Sequence, residues 1–226
     1  MTTLSNIVLV HGAWADGSSW AKVIPLLTAK GFSVTAVQLP LTSFEADVAA
    51  VKRAIALAEG DVVLVGHSYA GAVIGEAGND PKVARLVYID AFAPDAGESA
   101  GSLFQGFASA PLGAEIRPDA EGFLKLTPVG ISTLFAQDLD ATEQAVLYAT
   151  QGPINGAALG GVLTQAAWRT RPTFYLIGDE DQAILRVEQE KMSARMNATI
   201  AHVGSSHVPM LSHPDVVTNF ILQAAA

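Results

Sequence analysis

Short apolar runs rich in β-branched residues alternate with segments of helical period through residues 7–90, and this alternation constrains the fold more than any other feature of the chain. Runs of four or five such residues without polar interruption describe strands buried on both faces. Strands of that kind, separated by helices, wind into a mostly parallel sheet. Ile7-Val8-Leu9-Val10 reads as the first strand, Ser33 to Leu39 as the second, Val62-Val63-Leu64-Val65 as the third and Leu86 to Asp90 as the fourth. Between them, Trp20, Val23, Ile24 and Leu27 recur at helical spacing, with Pro25 restricting that helix to short pieces and Gly31 closing it. Thr42 and Glu45 form a T-x-x-E capping box ahead of Val48, Val51 and Ile55. A helix over Tyr69–Ala77 follows the third strand.

From Phe92 to about Trp168 the pattern lapses into glycine, proline and alanine with helical patches such as Thr142 to Tyr148, and no buried strand is evident. It resumes with strands at Thr173–Ile177 and Thr199–Val203, a helix around Arg186–Met196 and a last helix opened by Pro214. Interruption followed by resumption implies one α/β domain spanning 1–226. Its core would be 1–91 and 169–226, and its inserted, mainly helical cap 92–168.

The third strand runs directly into Gly66-His67-Ser68-Tyr69-Ala70-Gly71. A serine on a sharp strand-to-helix turn, with small residues two positions away on either side, has the form of a nucleophile elbow, although Ala70 stands where G-x-S-x-G has its second glycine. A serine hydroxyl needs a base to act as a nucleophile, and the base needs an orienting group. Among five histidines, His67 is too close in the turn to swing back, His202 lies within a strand, and His11 and His213 sit at element ends. His207, in the loop Gly204-Ser205-Ser206-His207 after the last strand, occupies the sheet edge where sites of open α/β folds gather. The orienting carboxylate is expected in Gly178-Asp179-Glu180-Asp181, where loop position favours Asp181 over Asp179; such a carboxylate can equally cap the helix that follows. Two N–H donors for a developing oxyanion are expected from Tyr69, at a helix N-terminus, and from Ala13 in His11-Gly12-Ala13-Trp14.

A formal charge of −9, from 22 acidic and 13 basic residues, argues against nucleic acid or an anionic membrane as a partner. With no cysteine there is neither a disulfide framework nor a thiolate site, and Met1-Thr2-Thr3-Leu4-Ser5-Asn6 carries no signal-peptide pattern, so the cytoplasm is the default location.

Together, Val8-Leu9-Val10-His11-Gly12-Ala13-Trp14, the serine turn, Gly178-Asp179-Glu180-Asp181 and Ser206-His207-Val208-Pro209-Met210-Leu211-Ser212 resemble the α/β-hydrolase superfamily over nearly the whole chain. Within it, the His-Gly start and the His-x-Pro-Met-Leu ending resemble the branch of salicylate-binding-type plant methylesterases, hydroxynitrile lyases and bacterial salicylate-esterase-like proteins. That resemblance implies a Ser68–His207–Asp181 triad, the acid being the fourth residue of a G-x-x-D loop. It implies no metal or organic cofactor and a small-molecule ester as partner, and it leaves a homodimer open. The lyases carry a threonine after the first-loop histidine and a lysine after the catalytic one; here Gly12 and Val208 occupy those positions, so the esterase expectation leads. A hydrolase-fold sensor with little turnover is the further alternative. Leu103, Phe104, Phe107, Leu124, Leu134 and Phe135 outnumber Arg117 and Lys125 in the insertion, which predicts an apolar roof.

Overall fold

The structure, a computed structural model, describes residues 4–106 and 110–226. Strands β1 (Asn6–Val10), β2 (Ser33–Val37), β3 (Val62–His67) and β4 (Val83–Ile89) precede the insertion. The insertion contributes β5 (Ile116–Pro118), β6 (Phe123–Leu126) and β7 (Ile154–Asn155), and β8 (Thr173–Gly178) and β9 (Thr199–Val203) follow it. Six strands form one sheet in the order β2-β1-β3-β4-β8-β9, and every neighbouring pair is parallel. All residues of β1 and β3 are buried, as their uninterrupted apolar runs require. The chain leaves β1 toward β2 on one side and returns to β3 on the other. The resulting switch point lies between the C-terminal ends of β1 and β3, where open α/β sheets form their binding crevice.

Helices α1 (Ile24–Ala29), α2 (Phe44–Leu57) and α3 (Ala70–Ala77) connect the first four strands. Pro25 divides the first of these segments as expected, into a 3-10 turn at Gly17–Trp20 and the short α1. The capping box is displaced by one residue: Ser43, not Thr42, is the N-cap of α2, and its hydroxyl accepts from Ala46 N at 3.2 Å. Ser43 has the extended backbone a cap requires, while Leu41 before it turns through φ +56°, its N–H bound by Asp47 Oδ1 at 2.8 Å. Strand β2 stops two residues short of Leu39 because the Leu39 N–H donates to the His11 ring at 2.9 Å instead of to a strand.

The insertion holds α4 (Ala100–Gly106), α5 (Pro128–Gly130), which continues into a π-turn at Ile131–Phe135, α6 (Ala141–Thr150) and α7 (Gly156–Leu159). Its antiparallel sheet β5-β6-β7 was not expected from the sequence. These strands are two to four residues long, carry Arg117, Pro118 and Lys125, and are mostly half-buried or exposed, so no apolar alternation marks them. Gln151 completes the pairing: its side chain bonds both the N–H and the C=O of Leu126, at 2.8 and 3.2 Å, in place of a further strand. Helices α8 (Arg186–Arg195), α9 (Pro209–Ser212) and α10 (Pro214–Ala225) complete the chain. Among the described residues no helix is long and apolar enough to cross a membrane.

Candidate active site

Ser68 stands at φ +55°, a left-handed conformation that costs a non-glycine residue energy and that the surrounding packing must hold. The hold is visible on both sides of the turn. The Ser68 N–H donates to Ile89 O of β4, and its carbonyl accepts from Gly71 N and Phe92 N. A Cβ at residue 71 would stand 2.1 Å from Phe92 O, so the glycine demanded by the turn is Gly71, while Ala70 fits its own buried position without conflict. On the other face, a Cβ at residue 12 would stand 2.6 Å from Ser68 Cβ; Gly12 therefore lets the loop after β1 lie directly against the serine.

Ser68 Oγ lies 2.8 Å from His207 Nε2, and His207 Nδ1 lies 2.7 Å from Asp181 Oδ2. All three residues are at most 5% exposed. Asp181 also serves the capping role open to it from the sequence: Oδ1 accepts from Ala183 N at 2.7 Å and Ile184 N at 3.0 Å, while Oδ2 accepts from Gln189 Nε2 at 2.8 Å as well as from His207. Because Asp181 only accepts, the His207 proton sits on Nδ1 and leaves Nε2 free to accept from the serine hydroxyl. Asp179 is turned away. Its carboxylate pairs with His202 Nδ1 at 2.9 Å and Arg186 at 3.1 Å on the surface, which also accounts for His202.

The other two buried histidines shape the surroundings. The His11 ring donates from Nδ1 to Gly12 O at 2.8 Å and accepts from Leu39 N at Nε2, and burial lowers its pKa. His67 donates from Nε2 to His207 O at 2.7 Å; burial, followed by the neighbouring His207, holds it well below the usual imidazole range, so it is neutral and anchors His207 through its backbone. From the insertion, the Phe135 ring packs edge-on to His207 at 5.0 Å and to Trp14 at 6.3 Å. Asp47, absent from the sequence reading, accepts from Tyr69 Oη at 2.8 Å, and burial raises its pKa. Its signal was present, since Asp47 lies one turn before Val51 on the buried face of α2. Asp90 and Gln189 were likewise missed; Gln189 belongs to a helix with only three apolar residues in ten, Val187, Met192 and Ala194, so no apolar stripe marks its buried side.

Ser68 and His207 open into a cavity of about 70 Å³ whose walls include Ala13, Trp14, Tyr69, Phe92, Phe104, Leu112, Ile116, Leu159 and Ile184. Among the described residues, neither Ala13 N nor Tyr69 N donates to an acceptor in the chain, and both residues border this cavity beside Ser68. Of the apolar insertion residues, Phe104 lines the cavity, Phe135 is fully buried, and Leu103, Leu124 and Leu134 are half-buried against the core; Phe107 lies outside the described residues. Asp90, Asp181 and His207 bring potential metal-ligand atoms within 4.8 Å of one another. The His207 Nδ1 and Asp181 Oδ2 atoms are bonded to each other and Asp90 Oδ1 accepts from Gly178 N, so the cluster is organised as a hydrogen-bond network.

A family model described as the alpha/beta hydrolase family matches residues 7–220. The chain is 27% identical to "Alpha/beta hydrolase nvfD" of Aspergillus novofumigatus, over 97% of this chain and 96% of that one. It is 25% identical to "Methylesterase 8" of Arabidopsis thaliana, over 97% and 89%. The crystal structure of a pyrethroid hydrolase from Sphingobium faniae superposes with a TM-score of 0.86 at 23% identity, covering 99% of this chain and 98% of that one.

Proposed function

The chain belongs to the alpha/beta hydrolase family, and from that premise we propose that it hydrolyses small carboxylic esters through an acyl-enzyme. The observation that carries this reading is the unbroken line from Ser68 Oγ through His207 to Asp181, with bonds of 2.8 and 2.7 Å. Ser68 Oγ attacks the ester carbonyl as His207 Nε2 takes its proton. Asp181 stabilises the imidazolium that results, without itself taking the proton. The negative charge on the former carbonyl oxygen falls between the N–H groups of Ala13 and Tyr69. His207 then protonates the leaving alcohol, and it activates water to release the acid by the same steps in reverse. Relatives named methylesterase and alpha/beta hydrolase support the class. Val208, buried at the position after His207, offers no cation to a departing cyanide, which leaves the lyase chemistry without its requirement.

A fluorophosphonate probe tests the reading directly, because it traps an activated serine whatever the natural ester is. Stoichiometric labelling of Ser68, slowed while an excess of a short aryl ester that is turned over is present, is the expected result. Labelling without turnover of any methyl or aryl ester would leave a sensor and not an esterase.

The cavity walls support a small, apolar substrate. They are almost wholly apolar and the space is narrow, so short-chain or small aromatic esters fit, and long acyl chains or anionic phosphoesters do not. Apolar insertion residues can select substrate or only pack, and two substitutions tell these roles apart. Phe104→Ala enlarges the cavity and is expected to shift the octanoate-to-acetate ratio of kcat/KM by roughly tenfold toward octanoate, the scale on which small changes in pocket volume act. Phe135→Ala empties a fully buried site and is expected to lower stability by about 3–5 kcal/mol, read from denaturant titration, with a smaller effect on that ratio.

A further inference from the structure

The insertion reaches both the acid loop and the base loop of the triad through one short turn. Residues 136–139 follow the π-turn that ends in Phe135, and Leu139 N closes them by donating to Ala136 O at 3.1 Å. The Gln144 side chain of α6 ties the same turn, its Nε2 donating to Ala136 O and Leu139 O, each at 3.0 Å. Ala136 and Leu139 are buried, and the two polar residues between them meet the core. Gln137 Nε2 donates to Glu180 O at 2.8 Å, one residue before Asp181. Asp138 Oδ2 accepts from Ser206 N at 3.0 Å, one residue before His207. In the same stretch of chain, the Phe135 ring lies edge-on to the His207 ring at 5.0 Å.

Asp181 and His207 stand on loops after different strands, β8 and β9, so their 2.7 Å bond lasts only while the two loops keep their separation. Glu180 N donates to Ser205 O at 3.1 Å directly between the loops, and the turn at 136–139 bridges the same pair through its side chains. Ser206 is fully buried, and among the described residues its N–H has no acceptor but Asp138. A carboxylate there makes a charge-assisted bond, stronger than one between neutral groups. Glu180 O also has Gln182 Nε2 at 3.4 Å, a longer and weaker contact than the one from Gln137. We propose that Asp138 and Gln137 are positioning residues, Asp138 holding the base loop and Gln137 the acid loop, so that the insertion keeps His207 aligned with Asp181 as well as roofing the cavity. Asp138 carries the larger share, because loss of its carboxylate strands a buried N–H, whereas Glu180 O keeps a second donor nearby.

The positioning role rests on the esterase reading, so one readout needs no turnover. In the active enzyme, Asp138→Ala is expected to lower kcat for a short aryl ester by about 10- to 100-fold and to leave KM within about threefold, because a misplaced base loses rate steeply while the apolar walls that bind substrate stay as they are. Asparagine keeps an oxygen for Ser206 N, so Asp138→Asn should recover kcat to within about threefold of the wild type. Gln137→Met keeps the length and removes the donor, and is expected to cost about three- to tenfold in kcat. In the Ser68→Ala protein, the downfield N–H proton resonance that His207→Ala removes is expected to persist with Asp138→Asn and to shift or broaden with Asp138→Ala. Asp138 is exposed, so its variants should fold, and melting temperatures check that they do. An Asp138→Ala protein that keeps its kcat, whether or not its melting temperature falls, would show a structural contact only and overturn the proposal. So would an Asp138→Asn as slow as alanine, which would assign the effect to charge and not to the bond; a Gln137→Met without effect would remove Gln137 from the clamp. Failure of the wild type to turn over any ester would sink the esterase reading, and the His207 resonance would then decide this one: unchanged in Asp138→Ala, it overturns the clamp.

Discussion

Ser68→Ala is expected to lower kcat for a short aryl ester by about five to six orders of magnitude, and His207→Ala by nearly as much, the scale seen when a nucleophile or its base is removed. In the proposed mechanism the two residues perform one event: the proton on Ser68 Oγ has His207 Nε2 as its acceptor at 2.8 Å, in a buried site. Without the imidazole the hydroxyl stays protonated, and without the hydroxyl the imidazole has nothing to activate but water. The double variant should therefore be little worse than either single one, and what remains should reflect binding and the two N–H donors alone. Losses that multiply in the double variant would show that the two side chains act independently and that the proposed mechanism is wrong. Melting temperatures measured beside the rates guard against reading an unfolded protein as an inactive one.

Asp181→Asn should cost about four orders of magnitude in kcat, and its direction follows from the surrounding hydrogen bonds. The Oδ1 position faces two backbone donors, Ala183 N and Ile184 N, so the amide oxygen of an asparagine must go there. Its NH2 group is then directed at His207 Nδ1, which lies 2.7 Å from Oδ2 in the native arrangement. That forces the imidazole to carry its proton on Nε2, the one atom that has to be bare to accept from Ser68. The variant thus inverts the tautomer while leaving size and shape nearly unchanged. Asp179→Asn, by contrast, removes charge from a surface group bound to His202 and Arg186, and should alter kcat by no more than about threefold. A reversed ranking of the two variants would move the orienting role to Asp179.

The alternation of β-branched runs and helical segments placed every strand of the main sheet, because a strand buried on both faces can hold almost nothing but apolar side chains. Ends were less legible. The α2 cap fell on Ser43 and not Thr42, and β2 gave up Leu39 to the His11 ring, since each boundary depends on a hydrogen bond to a residue elsewhere in the chain. The strands of the insertion were invisible for another reason: they are short and flanked by solvent, and one of their pairings is supplied by the Gln151 side chain.

Within the candidate site, Ser68, His207, Asp181, Ala13 and Tyr69 could be named from the chain alone because each stands in a loop directly after a strand of a parallel sheet. A parallel sheet brings all such loops to the same edge. Glycine content around the serine was equally local information, being a matter of backbone crowding. The sequence could not decide which oxygen of Asp181 faces the imidazole, that Asp179 turns outward, that Asp47 holds the Tyr69 hydroxyl, that Gln189 bonds Asp181, or that Asp90 accepts from Gly178 N. Those depend on side-chain direction and on where protons reside, and both are set by partners up to a hundred or more residues apart that only close packing brings within hydrogen-bond distance.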